Sequence, residues 1–475
     1  MKSEAMFRKT KIVCTLGPAT SSSDMIIHLI NSGMDVARLN FSHGTADQHR
    51  QTIHAVRSLS RRAGKEIGIL QDLGGPKIRL GEISGGKKTL RRGERVTLVP
   101  GACAEKDAIP VNYSGLIEDL EEGVPILLAD GTVQLMVVEK SEKSAVCEVM
   151  VGGVIYSRKG VNLPLSHLSV SAFTEKDRQD LMVGLGEKVD FVALSFIRGL
   201  EDLRNVREIL AEANHRPMLV AKIEKPEAVS NFEQILANVD AVMVARGDLG
   251  VEMPLEEVPM IQKRIIRITR QAGKPVITAT QMLGSMVENP RPTRAEATDV
   301  ANAILDGTDA LMLSDETAMG AYPVEAVSTL DRIARSTEPY LNESAYLEEE
   351  VSGMLHTVPA GISRGACRLA LDLKASAIVA TSSSGNTARM VARFRPSVPV
   401  IALTDHIETQ RQLALSWGVI TNLISSFADT DQMFAAARSW AVGKGVVKAG
   451  DCLIVTAGVP VGVSGTTNLL KVMEI

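Results

Sequence analysis

The chain has 475 residues, more than a single hydrophobic core usually organises, so two or three domains are expected. Hydrophobic residues make up 45% of the sequence and charged residues 23%, a balance that is typical of a globular protein and excludes a largely disordered one. The formal net charge of −4 argues against a nucleic-acid-binding protein.

The cysteines and the first residues of the chain indicate the cellular compartment of the protein. Five cysteines are scattered with no pair at the spacing of a metal site or redox motif: Cys14, Cys103, Cys147, Cys367 and Cys452. Such a set is typical of buried thiols in a reducing compartment. The start of the chain lacks an apolar signal segment, and no uncharged apolar stretch reaches the roughly 18 residues of a membrane span. We therefore expect a cytoplasmic protein with no membrane or nucleic-acid partner.

Eight short apolar runs, most of them separated by helical stretches, each end in a residue that can contact phosphate, metal or a charged oxygen atom. The runs cover residues 11–16, 35–40, 67–72, 189–195, 218–224, 240–247, 275–280 and 309–314. This number and order predict a (β/α)8 TIM barrel, in which the carboxyl ends of the strands form one rim and carry the active site. The polar residues expected on this rim are Arg38, Asn40, Ser42, Asp72, Ser195, Lys222, Glu224, Asp248, Thr280, Ser314 and Glu316.

The segments between the runs predict the rest of the architecture. A helix that ends at Gly33 follows the first run, and a second helix covers residues 45–63. From about 76 to 171 the alternation gives way to short β-type runs separated by turns, which predicts a small β-barrel inserted after the third strand. A capping box at Thr174 then restarts the alternation of helices and strands.

A polar stretch at residues 342–350 is predicted to be a linker. Beyond it, helices and strands alternate again, which predicts a separate open α/β sheet and an α/β fold class overall. We expect three domains: a catalytic barrel of residues 1–75 and 173–340, an inserted β-barrel lid of residues 76–172, and a C-terminal regulatory domain of residues 355–475.

Two acids follow successive buried runs, Glu224 in the sequence "AKIEKPEAV" and Asp248 in "ARGDLG". Two carboxylates from neighbouring strand ends can share one divalent ion, with water and phosphate oxygens completing the shell of Mg2+. The alternative is that Glu224 pairs with a neighbouring lysine and that Asp248 caps the turn after its strand. Because the strand ends of TIM barrels favour catalysis, a site for Mg2+ or Mn2+ is the preferred interpretation.

Two cations share strand faces with other polar residues. Lys222 precedes Glu224 by two residues, so both side chains point the same way, and a cation beside a bound metal suits phosphoryl transfer. The alternative is that Lys222 forms a Schiff base with a carbonyl substrate.

Arg38 shares its strand face with Asn40 and Ser42, which suits phosphate or carboxylate binding. A salt bridge to an acid on a neighbouring strand explains the position of this arginine equally well.

The segment "QDLGGPKIRLG" contains Asp72, two glycines, and then Lys77 and Arg79. Glycines let the backbone approach a ligand, although a hinge to the inserted domain is an equally good interpretation. The hydroxyl group of Thr280 serves as a turn former as often as it serves as a ligand. For His43, a structural hydrogen bond is at least as good an explanation as catalysis.

Two further segments resemble phosphate-binding loops. Residues 81–87 read G-x-x-x-x-G-K, but Lys88 follows and no helix is expected after it, so a P-loop nucleotide site is not predicted. In the third segment, "SSSGNT" follows a strand and opens a helix, where backbone N–H groups and the helix dipole attract phosphate. These residues are Ser382, Ser383, Ser384, Gly385, Asn386 and Thr387. Such a turn is often only a helix cap, and a ligand here would be regulatory.

Taken together, these stretches make the chain resemble the pyruvate kinase family over essentially its whole length. The matching segments include "TKIVCTLGPAT", "ARLNFSHG", "GPKIRLG", "RKGVNLP", "AKIEKPEAV", "ARGDLGVE", "ITATQML" and "MLSDETAMGAYP". The resemblance implies a barrel domain, an inserted lid domain, a C-terminal effector domain and a homotetramer. It also implies transfer of the phosphoryl group of phosphoenolpyruvate to ADP, giving pyruvate and ATP in glycolysis, with allosteric regulation through the C-terminal domain.

The resemblance assigns roles to the rim residues. The divalent ion would be held by Glu224 and Asp248. Catalysis would depend on Lys222, which neutralises the phosphoryl group in transfer, on Arg38, and on Thr280, which lies where the family protonates the enolate through water. The substrate would be bound by Arg38, Lys222, Gly247, Asp248 and Thr280. The ADP side of the cleft would be formed by Asn40, His43, Arg79 and Lys159.

One departure from the family concerns potassium. In potassium-dependent relatives the segment after the third strand reads "DTKGPE", whereas residues 72–77 here read "DLGGPK". This combination resembles that of potassium-independent enzymes, because the ammonium group of Lys77 could supply the charge of the monovalent cation. We therefore expect that K+ is not required and that its site has equivalents in Asn40, Ser42, Asp72 and Lys77.

A second departure concerns the effector. The closing loop "TAGVPVGVSGTTN" lacks the "GWRPGSG"-like pattern of relatives that respond to fructose bisphosphate. The loop at residues 382–387 remains, so a sugar monophosphate or a nucleotide monophosphate is the expected activator.

Two other function classes compete with this assignment. A magnesium-dependent lyase or aldolase acting on pyruvate shares the barrel and the metal, and it would cleave a carbon–carbon bond without ADP. A non-catalytic sensor would bind phosphorylated metabolites through the third domain. The complete set of Arg38, Lys222, Glu224, Asp248 and Thr280 argues against a sensor that has lost catalysis.

Overall fold

The computed structural model describes residues 7–102, 107–129, 131–164, 166, 168–349, 357–427, 429–460 and 466–475. Its strands are β1 (Lys11–Leu16), β2 (Val36–Asn40), β3 (Gly68–Asp72), β4 (Lys87–Leu90), β5 (Arg95–Pro100), β6 (Ile109–Val111), β7 (Pro125–Leu128), β8 (Val133–Lys140), β9 (Ala145–Val151), β10 (Gly153–Tyr156), β11 (Val161–Asn162), β12 (Phe191–Leu194), β13 (Met218–Ile223), β14 (Ala241–Ala245), β15 (Val276–Ala279), β16 (Ala310–Leu313), β17 (Ala377–Thr381), β18 (Val400–Thr404), β19 (Val419–Leu423), β20 (Cys452–Gly458) and β21 (Thr467–Glu474).

The α-helices are α1 (Ser23–Ser32), α2 (Ala46–Ala63), α3 (Leu116–Asp119), α4 (Glu175–Gly186), α5 (Leu200–Glu212), α6 (Pro226–Ser230), α7 (Phe232–Ala237), α8 (Arg246–Glu252), α9 (Val258–Gln271), α10 (Arg294–Leu305), α11 (Asp315–Ala318), α12 (Pro323–Thr337), α13 (Glu343–Glu348), α14 (Val358–Asp372), α15 (Asn386–Ala392), α16 (Ile407–Gln412) and α17 (Thr430–Gly443). Among the described residues, none of these helices combines the length and the apolar character that a membrane crossing needs.

Eight parallel strands close into a barrel in the order β1-β16-β15-β14-β13-β12-β3-β2, so the predicted TIM barrel and fold class are confirmed. Each strand falls inside one of the eight predicted apolar runs. The strands are apolar on both faces because one face packs inside the barrel and the other packs against the helices. The carboxyl ends of all eight strands therefore meet at one rim.

Local capping explains where the barrel helices begin and end. The hydroxyl group of Ser22 accepts a hydrogen bond from the backbone N–H of Met25 at the start of α1, and Gly33 ends that helix with φ +129°. Thr174 forms the predicted capping box of α4, and Thr45 forms a further one at the start of α2. These caps satisfy N–H groups that lack partners in the first turn.

The inserted segment forms a six-stranded sheet, β11-β7-β8-β9-β5-β6, and a two-stranded sheet, β10-β4. A turn in which Gly93 adopts φ +80° separates β4 from β5. After the P-loop-like residues 81–87 comes strand β4, and no helix follows, as the sequence predicted. The segment joins the barrel at the end of β3, directly above the rim.

The C-terminal segment forms a five-stranded sheet in the order β19-β18-β17-β20-β21, in which β21 is antiparallel to β20. The polar stretch predicted as a linker contains helix α13, whose Leu347 is 2% exposed and packs in the core of this sheet. The buried carboxylate of Glu343 accepts a hydrogen bond from the backbone N–H of Ser397 at 2.8 Å, so the stretch is packed structure rather than a free linker. Glu350, Cys103 and residues 461–465 of the closing loop lie outside the described residues.

Candidate active site

Four of the predicted rim residues converge in one buried cluster at the carboxyl ends of β2, β3 and β13. The Nε atom of Arg38 lies 2.7 Å from Oδ2 of Asp72, and the ammonium group of Lys222 lies 3.3 Å from Oδ1 of the same carboxylate. The ammonium group also lies 2.8 Å from Oε1 of Glu224. We call these four residues, Arg38, Asp72, Lys222 and Glu224, the rim cluster. Both interpretations of Arg38 remain open, because it forms the salt bridge and still faces the rim.

Two hydroxyl groups hold the cations of the rim cluster in place. Ser195 accepts a hydrogen bond from Lys222 at 2.7 Å and donates one to the carbonyl oxygen of Leu73 at 2.9 Å. Thr15 accepts a hydrogen bond from Arg38 at 2.8 Å and donates one to the carbonyl oxygen of Leu313. Thr15 was missed by the sequence analysis, although its parity on β1 places it on the same inward face as Lys11 and Val13.

The charges of the rim cluster shift one another's pKa values. Burial alone would raise the pKa of Asp72, but the charges of Lys222 and Arg38 hold it below its ordinary value. Burial alone would lower the pKa of Lys222, but the carboxylates of Asp72 and Glu224 raise it. This lysine is therefore a held ammonium ion, which argues against its use as a Schiff-base nucleophile, since that role needs a neutral amine.

The two acids predicted to bind metal differ in exposure. Glu224 is 1% exposed, and its Oε2 atom accepts a hydrogen bond from the backbone N–H of Phe196 at 2.8 Å. Burial raises the pKa of Glu224, and the negative charge of Asp248 adds to this against the opposing effect of Lys222. Asp248 is exposed in the first turn of α8. Burial makes ionisation of the Glu224 carboxyl group costly, and a divalent cation bound between Glu224 and the exposed Asp248 would offset this cost.

Among the described residues, no group of three or more His, Cys, Asp or Glu side chains is placed to hold a metal ion. Two carboxylates with further oxygens from substrate and water are a normal ligand set for Mg2+. The donor set at this rim therefore fits Mg2+ or Mn2+ bound together with a phosphorylated substrate.

Thr280 ends β15 in a strained turn. Thr280 and Gln281 adopt φ values of +69° and +53°, which cost energy for residues with side chains. The hydroxyl group of Thr280 accepts a hydrogen bond from the backbone N–H of Gly247 at 2.7 Å. The predicted substrate-binding residues Gly247 and Thr280 are thus in direct contact.

Arg246 holds this turn and was missed by the sequence analysis. Its NH2 atom donates a hydrogen bond to the carbonyl oxygen of Thr280 at 2.8 Å, and its Nε atom donates one to that of Ala279 at 3.3 Å. Asp299 fixes the same guanidinium group at 2.8 Å. In the sequence, Arg246 stands between a buried strand and the residues Gly247 and Asp248. Hydrophobic periodicity alone does not predict a role for an arginine at that position.

A cleft of about 320 Å3 separates the rim from the inserted domain. Six of the described side chains that line it are cationic: Lys77, Arg79, Arg158, Lys159, Arg198 and Lys225. Asp248 is the acid among the described lining residues. The predicted ADP-binding residues Arg79 and Lys159 lie here, whereas Arg158, Arg198 and Lys225 were not predicted. A cleft with this charge suits the phosphates of a nucleotide.

The remaining predicted residues lie at the edge of the rim. The Oδ1 atom of Asn40 accepts a hydrogen bond from the backbone N–H of Ser42 at 3.1 Å, and His43 is exposed. Neither Asn40 nor His43 is among the described residues that line the cleft. Burial, followed by the charges of Arg79 and Lys222, lowers the pKa of Lys77. Lys77 is therefore close enough to the rim cluster to add positive charge there.

Contacts between the inserted domain and the barrel close one side of the cleft. Glu252 at the end of α8 accepts hydrogen bonds from Asn162 of β11 at 2.9 Å and from Lys225 at 2.7 Å. Arg198 donates hydrogen bonds to the carbonyl oxygens of Leu168 and Val170, where the chain returns to the barrel. These contacts set the position of the inserted domain above the rim.

The predicted effector loop lies far from the rim, between β17 and the seven-residue helix α15. Gly385 adopts φ +76°, and the backbone of Ser384 accepts a hydrogen bond from Arg389 at 2.7 Å. The hydroxyl group of Thr387 is 2.7 Å from that of Thr467 and is buried, so it is already engaged. The side chains of Ser382 and Ser383 are half-buried.

Comparisons with known proteins agree along the whole chain. Residues 7–327 match the family model described as pyruvate kinase, barrel domain, and residues 360–473 match pyruvate kinase, alpha/beta domain. The pyruvate kinase of Geobacillus stearothermophilus is 47% identical, covering 98% of this chain and 80% of that protein. That of Clostridium acetobutylicum is 43% identical and covers 98% and 100%. The solved structure of a pyruvate kinase from Cryptosporidium parvum has a TM-score of 0.93 at 36% identity, covering 98% of this chain and 96% of that one.

Proposed function

This chain belongs to the pyruvate kinase family of phosphotransferases, and we propose that it transfers the phosphoryl group of phosphoenolpyruvate to ADP as a step of glycolysis. The observation that carries the proposal is the rim cluster, in which a held ammonium and a held guanidinium face a cleft lined by six cations. In the reaction, the bond from phosphorus to the enol oxygen breaks and a bond to the terminal phosphate of ADP forms. The enolate that is left takes up a proton to give pyruvate.

The cations of the rim cluster act on the phosphoryl group. Lys222 is fixed by oxygens of Ser195, Glu224 and Asp72 at 2.7, 2.8 and 3.3 Å, so its charge is in place before the substrate arrives. Arg38 is fixed in the same way by Asp72 and Thr15. Donors that are held beforehand stabilise the charge of the transition state without the cost of reorienting.

Glu224 and Asp248 would hold Mg2+ or Mn2+. When bound there, the ion supplies positive charge that neutralises phosphoryl oxygens and orients the substrate. The buried carboxylate of Glu224 keeps its position through the hydrogen bond from Phe196, and the exposed Asp248 adjusts to the ligand.

The other end of the substrate meets the strained turn. The backbone N–H of Gly247 donates to the hydroxyl group of Thr280, which donates to the carbonyl oxygen of Ala279. When the substrate binds, this N–H and this hydroxyl group would donate to its carboxylate instead. The same hydroxyl group can hold the water that protonates the enolate. Arg246 is a positioning residue here, because it holds the turn through backbone carbonyl oxygens.

Several finer features form part of the proposal. Lys77 would replace the charge of K+, supported by its electrostatic contact with Asp72 and Lys222. The C-terminal domain would regulate the enzyme through a sugar or nucleotide monophosphate bound at residues 382–387. We also propose a homotetramer in the cytoplasm, which membership of the family supports.

The test is the formation of pyruvate from phosphoenolpyruvate, ADP and Mg2+ by the purified chain. We expect that Lys222→Met lowers kcat by roughly a thousandfold or more, since one fixed charge is lost from the transition state. Lys263→Met, which removes a half-exposed ion pair with Asp306 on the outside of the barrel, should leave the rate unchanged. Activity that persists in Lys222→Met would refute the proposed mechanism.

The lyase alternative gets no support from the structure, since Lys222 is an ammonium ion among carboxylates. Treatment with borohydride in the presence of pyruvate tests it directly. Covalent trapping at Lys222, together with cleavage of a carbon–carbon bond in the absence of ADP, would replace the kinase assignment.

A further inference from the structure

Four arginines meet where the C-terminal sheet packs against the underside of the barrel. They are Arg270 at the end of α9, and Arg389, Arg393 and Arg395 in and after α15; we call them the arginine cluster. Arg270 donates a hydrogen bond to the carbonyl oxygen of Arg393 at 3.1 Å, and Arg393 donates one to that of Gln271 at 2.8 Å. The cluster therefore joins the two domains from both sides.

The arginine cluster carries more positive charge than its acidic neighbours balance. Arg395 pairs with Asp309 at 2.9 Å, and Arg270 pairs with Glu349. Neither Arg389 nor Arg393 forms an ion pair within the described part of the chain. Burial lowers the pKa of Arg389 to about 10 and, together with the charge of Arg270, that of Arg393 to about 10. Both groups remain charged at neutral pH. Burying these charges costs free energy, which a bound anion would offset.

Each arginine of the cluster also has a buried N–H group without a hydrogen-bond partner. These groups are on the Nε atoms of Arg270, Arg393 and Arg395 and on NH1 of Arg389. Arg270, Arg393 and Arg395 are 4%, 4% and 1% exposed. A buried donor that lacks a partner costs stability, and four of them in one place are unusual for an interior.

The four arginines line a common small cavity together with Lys274, and Asp309 is the acid among its described lining residues. The cavity has a volume of about 10 Å3 and is partly open to solvent. That space admits one oxygen atom, while the rest of a larger anion would remain at the mouth. Guanidinium groups bind the oxygens of phosphate and related anions in a fork, which favours such anions over a monatomic one.

We propose that the arginine cluster binds a phosphate-sized oxyanion, supplied either as inorganic phosphate or as the phosphoryl group of a metabolite. The site is distinct from residues 382–387, which lie at the other end of α15. The two are nevertheless connected, because Arg389 donates a hydrogen bond to the backbone of Ser384. Occupation of the cluster would fix the C-terminal sheet on the barrel and also hold one side of the loop.

Titration calorimetry with inorganic phosphate on the full chain tests the proposal. We expect saturable binding that Arg393→Met weakens at least tenfold. Ser383→Asp, which places a negative charge in the loop, and Arg368→Met, which removes an exposed ion pair on α14, should change the affinity less than twofold. Phosphate binding that Ser383→Asp abolishes and Arg393→Met leaves intact would overturn the proposal.

A second measurement does not depend on how well a variant folds. Crystals of the unaltered protein in saturating phosphate should show tetrahedral density within hydrogen-bond distance of Arg389 and Arg393. Density for water alone would overturn the proposal.

Repeating the titration with a hexose monophosphate distinguishes the two sources of the oxyanion, inorganic phosphate and the phosphoryl group of a metabolite. Affinity at least tenfold above that of phosphate, and dependent on Arg393, identifies a metabolite, whereas equal affinity identifies the free ion.

Discussion

The rim cluster and the arginine cluster are both buried groups of charges, but the two cations of the rim cluster are matched by two carboxylates, whereas the arginine cluster has more cations than acids. At the rim, Lys222 and Arg38 are paired within 3.3 Å, and the exposed Asp248 adds a further negative charge. In the arginine cluster, Arg389 and Arg393 have no carboxylate partner among the described residues. The cations left without partners indicate an oxyanion as the ligand between the domains, whereas the carboxylates of Glu224 and Asp248 indicate a divalent cation at the rim.

The two clusters also differ in how the fold assembles them. The rim cluster comes from strand ends, whose side chains converge because parallel strands share one edge. The arginine cluster forms only when α15 docks on α9 and on the residues before β16. Substitutions at the rim should therefore change catalysis, and those in the arginine cluster should change binding and the packing of the domains.

After the loss of Lys222, the largest expected effect comes from removing a carboxylate of the proposed metal site at the rim. Glu224→Gln keeps the size of the side chain but leaves Asp248 alone to attract the ion. We expect kcat to fall roughly 100-fold to 1000-fold, with a matching rise in the Mg2+ concentration needed for half-maximal activity. Steady-state kinetics across Mg2+ concentrations measure both. Glu256→Gln, at an exposed position after α8, is the control, and a Glu224→Gln enzyme with unaltered Mg2+ dependence would contradict the proposed metal site.

A smaller effect should come from a residue that acts through position rather than charge. Arg246→Met removes the donors to the carbonyl oxygens of Ala279 and Thr280, so the strained turn would relax. We expect kcat to fall by roughly 10-fold to 100-fold, since small displacements of a reacting group are costly. Arg264→Met, at an exposed pair with Glu233, should have no effect. If the loss is of the same size in both variants, Arg246 has no positioning role.

Substitution of Lys77 tests whether activity depends on a further positive charge at the edge of the rim. The unaltered enzyme should work equally well with K+ or with a large inert cation at the same ionic strength. In Lys77→Met the activity without K+ should fall about tenfold, the effect of roughly 1.4 kcal/mol from one partly buried charge. Added K+ should restore part of the loss. An unaltered enzyme that loses its activity when K+ is removed would refute potassium independence.

The smallest effect is a change of pKa at the nucleotide side of the cleft. Burial, followed by the charges of Lys77, Arg79 and Arg38, lowers the pKa of His43, so this ring is neutral to lower pH than usual. The phosphates of ADP would offset those cations, and the pKa of His43 should then rise. Titration of the ring protons by NMR measures the shift, with the ring signals of His54, on the outer helix α2, expected to stay in place. A downward shift on adding ADP would place the nucleotide elsewhere.

Much of the site could be predicted from local patterns. Lys222 and Glu224 were placed on one strand face by their spacing of two, and the structure brings them to 2.8 Å. Asn40 and His43 show the limit of such reasoning, because spacing puts them near the rim without saying that they lie outside the cleft. Arg246 could not be recognised, because its partners are backbone carbonyl oxygens of a neighbouring strand end.

By itself, the sequence determined the eight barrel strands, the capped helices and the membership of the pyruvate kinase family. All of these depend on patterns within a few residues or on motifs in fixed order. Only the tertiary structure decided which charges are paired and which are left over. Arg395 meets Asp309 across 86 residues of sequence, while Arg389 and Arg393, in the same short segment, form no ion pair among the described residues. The reason is that pairing across domains depends on how two surfaces dock, and no local periodicity records that geometry.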